Sequence, residues 1–210
     1  MKLVLLADLH GRLPDKLPPC DVAVIAGDIC GGVGGESGQA QFLDNEFREW
    51  LEYVPATHVV ATWGNHDWIG QARGRTVPQL PWHLLIDSGV EIDGVMFWGT
   101  PWQPWFHDWA FNATEEELDQ HFAKIPEGTD VLVSHGPPYG YGDMNNSGHC
   151  CGSKALYKHI LRVKPQLVVC GHIHEAYGEY AFNGTSVVNA AQVNHRYERT
   201  RGAIEWQLER

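Results

Sequence analysis

The stretch "HVVATWGNHD", residues 58–67, joins two kinds of chemistry. Its first half is apolar and rich in valine, the composition of a strand covered on both faces. Its second half is glycine, asparagine, histidine and aspartate, side chains able to bind a metal or move a proton. The same grammar recurs along the chain. Apolar runs at "KLVLLAD" (2–8), "DVAVIAGD" (21–28), "DVLVSHG" (130–136) and "QLVVCGH" (166–172) also end in carboxylate or imidazole, the last three beside glycine. Further strand-like runs occur at 94–100, 185–190 and 202–208 without that ending.

Helical patterns alternate with these strands. Residues 39–54 place Phe42, Leu43, Phe47, Trp50, Leu51 and Val54 on one stripe. Residues 112–125 open with Thr114 as N-cap and Glu117 at the capping-box position. Residues 153–163 begin at Ser153 and stop before Pro165. Alternating strands and helices imply an α/β layered fold. The β-rich last third adds the expectation of a second sheet in a sandwich with outer helices. The glycine-rich run 30–39 reads as a loop, too short for a linker, so 1–210 is expected to form a single domain.

Composition narrows the functional classes. With 43% hydrophobic and 20% charged residues the chain is globular in type, and no apolar run approaches the length of a membrane span. The opening residues lack a signal-peptide cleavage pattern and read as the first strand of a cytoplasmic protein. A formal charge of −11 argues against binding of long nucleic acid, which rewards Lys and Arg. Five cysteines with no CxxC spacing argue against a disulfide framework or a cysteine zinc site. Cys150 and Cys151 alone stand adjacent, the one candidate redox pair.

The polar strand ends are the candidate site, because ligands of open α/β sheets bind at strand carboxyl ends. Asp8 and His10 are separated by two positions, a spacing that in extended chain points both the same way. Asp28, Asn65, His135 and the pair His172 and His174 complete seven candidate ligands. Each alone has an ordinary explanation as turn residue, cap or structural histidine; five such endings in succession do not. Imidazole, carboxylate and amide oxygen suit manganese, iron, zinc and similar divalent ions. Seven donors exceed one tetrahedral zinc and suit two ions, a known arrangement for hydrolysing phosphate esters.

The order D-x-H, GD, GNHD, H, GHxH, spread over residues 8–174, resembles the calcineurin-like metallophosphoesterase superfamily. The segments 99–112, 125–140, 170–178 and 187–192 resemble more closely the small metallophosphoesterase-domain proteins of animal brain and their microbial relatives. The resemblance implies a β-sandwich of two mixed sheets flanked by helices, and two divalent ions per chain, manganese first, with iron, zinc, cobalt, nickel or magnesium as other occupants. It implies that Asp8, His10, Asp28 and His174 hold one ion, and that Asp28 bridges to a second completed by Asn65, His135 and His172. His66 would be the general acid, or a cation contacting phosphate, with Asn65 also on the substrate side. Some animal members carry glycine at the first histidine of GHxH and are weak enzymes that hold a nucleotide; this chain keeps His172. Many superfamily members follow Asp28 with an acidic or Asp-Arg-Gly segment. Here "ICGG" follows, so no phosphate-binding or acid-orienting role is carried over to it.

The expected activity is that of a metal-dependent phosphoesterase, specifically a phosphodiesterase for small diesters such as cyclic nucleotides. The rivals are a phosphomonoesterase or phosphoprotein phosphatase, and a nucleotide-binding regulatory protein with little turnover. Asp67 reads equally as support for the ligand loops or as a helix cap. Arg12 is a candidate phosphate contact and equally a surface residue. Trp102 and Trp105 are candidates for stacking on a base within a tryptophan-rich segment whose usual role would be packing. Asp143 and His149 lie in a loop, 139–152, that follows His135 and would shape a pocket or simply be solvated.

Overall fold

The computed structural model describes residues 1–32, 34–72 and 77–209. The apolar runs become parallel strands β1 (Lys2–Leu6), β2 (Cys20–Ala26) and β3 (Ala56–Thr62), with a short β4 (His83–Leu84). β13 (Ile204–Gln207) pairs antiparallel with β1, so this sheet has the order β13-β1-β2-β3-β4.

The second sheet is built from β5 (Ser88–Ile92), β6 (Val95–Thr100), β9 (Val131–Ser134), β10 (Leu167–Cys170), β11 (Gly178–Phe182) and β12 (Thr185–Asn189). Its order is β11-β12-β10-β9-β6-β5, parallel in the middle and antiparallel at both edges. Both sheets are therefore mixed, and the α/β sandwich expected from the sequence is present. A two-stranded ribbon, β7 (Gln103–Pro104) with β8 (Asn112–Ala113), stands apart.

Alternation along each strand explains the layering. Leu3, Leu5, Val22, Val24 and Val60 face Phe97, Val131, Val133, Leu167 and Val169 of the other sheet, forming the central core. The intervening Val4, Leu6, Ala23, Ile25 and Val59 turn outward onto Leu43, Phe47 and Leu51. Leu132, Val168 and Val187 do the same on the far side, against α3 (Glu115–Phe122) and α4 (Lys154–Val163). Strands covered on both faces need side chains apolar at every position, and this is why their sequences read as continuous runs.

Thr114 and Glu117 form the expected capping box, and the Ser153 side chain accepts from Leu156 N. The first helical region differs from expectation. It starts within the glycine-rich run, as α1 (Gly35–Phe42), after Gly34 adopts a left-handed φ of 83°. Val33 of that run lies outside the described residues. A π-helical turn (Leu43–Phe47) then precedes α2 (Arg48–Tyr53). Leu43, Phe47 and Leu51 recur every four residues, wider than the α-helical repeat. The wider turn keeps all three on the buried face.

The β-rich C-terminal third does not form a sheet by itself. β11 and β12 extend a sheet begun at β5, whereas β13 returns to the first sheet. Among the described residues no helix is long and apolar enough to cross a membrane.

Candidate metal centre

All seven predicted ligands and His66 gather at the carboxyl ends of β1, β2, β3, β9 and β10, because parallel strands in two facing sheets end on one side. The backbone there is unusual. Asp8, His10, Asp28 and His172 have φ of 54°, 46°, 51° and 66°, the left-handed region that non-glycine residues avoid. Strain of this kind persists only where surrounding structure enforces it, and it clusters at functional sites. It also corrects the expectation for Asp8 and His10: they converge because the chain turns sharply after β1, and not because it is extended. Two glycines leave room for the cluster. A Cβ on Gly171 would collide with the Asp8 carboxylate, and one on Gly64 with that of Asp28.

The donors form overlapping groups. Atoms of Asp8, His10 and His174 lie within 4.8 Å of one another, as do those of His10, Asp28 and His66, and those of Asp8, Asp28 and His135. Asp28 spans the cluster, with Oδ2 3.5 Å from His10 Nε2 and Oδ1 3.6 Å from His135 Nε2. His174 Nε2 lies 3.3 Å from Asp8 Oδ1 and 3.4 Å from His10 Nε2. Asn65 Oδ1 meets His135 Nε2 and His172 Nδ1, each at 2.7 Å. The two histidines of GHxH thus part company, His174 joining Asp8 and His172 joining Asn65.

Hydrogen bonds behind the cluster set the tautomers. His135 donates its Nδ1 proton to Ala26 O at 2.9 Å, and His174 donates from Nδ1 to Asn194 O at 3.1 Å. His135 then presents a bare Nε2 lone pair to the site, as His174 does in its neutral form. For His135 that lone pair faces the Asn65 oxygen, an acceptor against an acceptor at hydrogen-bond distance. Asn65 Nδ2 meanwhile is buried with no partner. Hydrogen bonding alone would turn the amide the other way; a cation shared by oxygen and nitrogen satisfies the arrangement as it stands. The donor set therefore fits divalent metal.

Charge states agree. Burial lowers His135, takes His172 well below the ordinary imidazole value and pushes His10 down to about 3 against the opposing pull of Asp8, so all three are neutral ligands at pH 7. Burial acts against Asp8, yet His174 and the other imidazoles hold it below the usual carboxylate range. Burial also opposes protonation of His174, but Asp8, Asp28 and the Asn194 carbonyl together outweigh it and raise the group. Burial pushes Asp28 and Asp67 up to about 7, each also raised by a neighbouring carboxylate. A divalent ion held by Asp28 would favour its ionised form and displace the proton that burial retains.

Asp67 resolves as support for the ligand loops. Its carboxylate accepts from Ile29 N, Cys30 N and Gly64 N at 3.2, 2.7 and 2.8 Å, tying the Asp28 loop to the Asn65 loop, and it makes no side-chain cap to the short 3₁₀ turn that follows. His66 N donates to Asp28 Oδ1 at 2.7 Å.

A cavity of about 720 Å³ opens over Asp28, Asn65, His66, His172 and His174. Its other walls include Trp105, Phe106, His107, Trp109, Glu175, His195 and Tyr197. Asp8 and His135 lie buried beneath its floor. Arg12 is exposed and does not line the cavity. Trp102 packs instead, stacking on His121 at 4.0 Å and donating to Asp87, whereas Trp105 is 64% exposed at the rim. Asp143 is buried and holds its loop through Gly140 N and Gly152 N. That loop contributes Asn145 and Cys151 to the wall. Tyr197, Trp109, His107 and His195 carry no motif in the sequence. Only folding brings them to the site, and Tyr197 in particular packs its ring edge-on to His10 at 4.8 Å and His174 at 5.5 Å.

Comparison with known proteins identifies the family. The calcineurin-like phosphoesterase family model matches residues 1–176. Human metallophosphoesterase domain-containing protein 1 is 31% identical over 94% of this chain and 68% of its own length. A Caenorhabditis elegans protein of the group UPF0046 is also 31% identical, over 94% of this chain and 57% of its own. Among solved structures, one aligns over 99% of both chains with a TM-score of 0.69 at 15% identity. Phosphopantetheinyl hydrolase from Mycobacterium tuberculosis aligns over 93% of this chain and 90% of its own, with a TM-score of 0.56 at 14% identity. At these identities the solved structures speak to the fold alone. The chain belongs to the calcineurin-like phosphoesterase family, and its clustered Asp, His and Asn side chains are candidate ligands for the metal such an ester hydrolase uses.

Proposed function

We propose that this phosphoesterase is a phosphodiesterase for small diesters, cyclic nucleotides among them. The observation that carries the reading is the composition of the cavity wall. Among the described residues lining it there is no Lys or Arg, while Glu175 adds negative charge and Trp105, Phe106, Trp109 and Tyr197 add flat apolar surface. A monoester carries up to two negative charges near neutral pH, a diester one. A wall without fixed cations favours the diester, and the aromatic rim suits a substituent with a planar ring. The formal charge of −11 also disfavours long nucleic acid.

Asp8, His10, Asp28 and His174 would hold one divalent ion, and Asp28, Asn65, His135 and His172 the second. Bound there, the two ions would supply positive charge to the phosphoryl oxygens and lower the pKa of water for attack. The chain itself supplies orientation and a proton. The Asp28 carboxylate receives the main-chain N–H of His66, so the ligand loop and the acid loop move as one body. The imidazole of His66 opens to the cavity and would donate its proton to the departing oxygen.

The test is a substrate panel on chelator-stripped protein resupplied with manganese, iron, zinc, cobalt, nickel or magnesium. Expected is faster turnover of bis(p-nitrophenyl) phosphate and of 2′,3′- or 3′,5′-cyclic nucleotides than of p-nitrophenyl phosphate. A preference for the monoester would replace this reading with that of a phosphomonoesterase. Tight nucleotide binding without turnover under every metal would make the chain a binding protein.

A further inference from the structure

The reading of His66 as the proton donor leaves one structural question: what holds its imidazole in place. Its main chain is fixed twice over. The N–H donates to Asp28 Oδ1 at 2.7 Å, and the carbonyl accepts from Gln39 Nε2 at 2.6 Å. Gln39 is buried and uses its other end to accept from Ile69 N, so the turn after Asn65 is rigid. The side chain is a different matter. Among the described residues its ring nitrogens make no hydrogen bond to protein that would set its rotamer. The Asp28 carboxylate lies within 4.8 Å but makes no hydrogen bond to the ring, and the other neighbours are aromatic. The Trp109 ring lies 4.4 Å away at a tilt of 51°, His10 meets it edge-on at 4.8 Å, and Tyr197 closes the remaining side at 5.8 Å.

Trp109 is itself anchored to the metal centre. The next residue, Ala110, donates its N–H to Asn65 O at 3.1 Å and accepts from Gln103 Nε2 at 2.8 Å. Asn112 braces the other end of the loop by binding Phe106 and His107 main-chain groups. The indole is therefore presented to His66 from a braced loop tied to a ligand residue.

We infer that Trp109, backed by Tyr197, is the positioning residue for His66, holding the imidazole by ring packing where other designs would use a carboxylate hydrogen bond. This rests on the reading of His66 as proton donor. Ring packing selects the rotamer and leaves both ring nitrogens free for substrate. Misplacement of a reacting group by 1 Å costs up to about 100-fold in rate, which sets the scale of the effect.

The experiment is a double-mutant cycle on the metal-loaded protein, with an alkyl diester whose poor leaving group needs the acid. W109A should lower kcat about 10- to 100-fold with KM and metal content close to those of the parent. W109F, which keeps an aromatic face, should recover most of the rate. Y197A should fall in the same direction as W109A. The decisive arm is the H66A background. A residue acting through His66 has nothing left to position there, so W109A should add no further loss.

Additive losses in the double variant would overturn the inference, as would a W109A effect confined to KM, which would make the indole part of the substrate platform. W109F as slow as W109A would also overturn it. If W109A fails to fold, the W109F and Y197A arms in both backgrounds carry the same test. H66A as fast as the parent would remove the proton-donor reading and this inference with it. A slow H66A beside a fully active W109A would remove the inference alone.

Discussion

Asp67 offers a perturbation whose size follows from the structure. Its buried carboxylate is the common acceptor for Ile29 N, Cys30 N and Gly64 N. Replacement by alanine orphans three donors in a site closed to solvent. Each buried unsatisfied donor costs about 1–3 kcal/mol, so the loss starts at about 3 kcal/mol even if every donor falls at the low end. That is a large share of the roughly 5–15 kcal/mol that holds a domain together. At this chain length it corresponds to a fall in Tm of about 6–12 °C. Asp67→Asn is the graded control. Its amide oxygen can take the position of Oδ2, which serves Ile29 and Gly64, but its NH2 group then opposes Cys30 N–H. One donor is lost, for about 1–3 kcal/mol. The assay is urea unfolding with excess chelator, read by tryptophan fluorescence and fitted with a shared m-value. Metal per chain is measured separately, because the same bonds hold the Asp28 loop beside the Asn65 loop. The expected order is parent, then Asn, then Ala in both stability and metal retention. An alanine variant within 0.5 kcal/mol of the parent, a difference of the order surface substitutions make, would refute the bracing role.

Other outcomes follow from the ligand geometry. Asp28→Asn should lower metal occupancy at both positions together, since its two oxygens face His10 on one side and His135 on the other; elemental analysis finding two ions per chain with full activity would count against the bridge. His172→Gly should slow diester turnover about 10- to 100-fold at limiting metal, the scale of losing a supporting group at a metal site, while the fold survives by circular dichroism. Metal affinity should fall as pH drops through about 7, where the buried Asp28 and Asp67 pair takes up protons in competition with the cation. One competing proton predicts an apparent affinity about tenfold weaker at pH 6 than at pH 8, and the raised His174 deepens the fall. His10 and His172, held neutral by burial, should add nothing over that range, and calorimetry showing a flat profile would contradict this account.

Much was legible from the chain alone because two signals are local. Strands buried on both faces must be apolar at every position, so β1, β2, β3, β9 and β10 announce themselves, and Thr114 and Ser153 mark helix starts by the hydrogen bonds their own side chains make. The ligands were legible for a related reason: each sits just past such a strand, and strand ends on one side of a parallel sheet are neighbours wherever they lie in sequence. The edge strands β5 and β11 were not, since one exposed face leaves their runs short and half polar. Nor was the route by which Asp8 and His10 converge, which depends on left-handed backbone held by the surrounding loops. Which ring nitrogen His174 and His135 turn toward the site is set by Asn194 O and Ala26 O, acceptors drawn from distant segments. Trp109 and Tyr197 reach His66 from separations of 43 and 131 residues. Their role has no sequence signature because an aromatic side chain reads the same whether it fills a core or packs beside a reactive imidazole. Sequence dictates where chains must bury apolar surface and which donors strand ends carry; only the tertiary structure decides which of those donors meet, because contact between distant segments is a property of packing and has no local pattern to betray it.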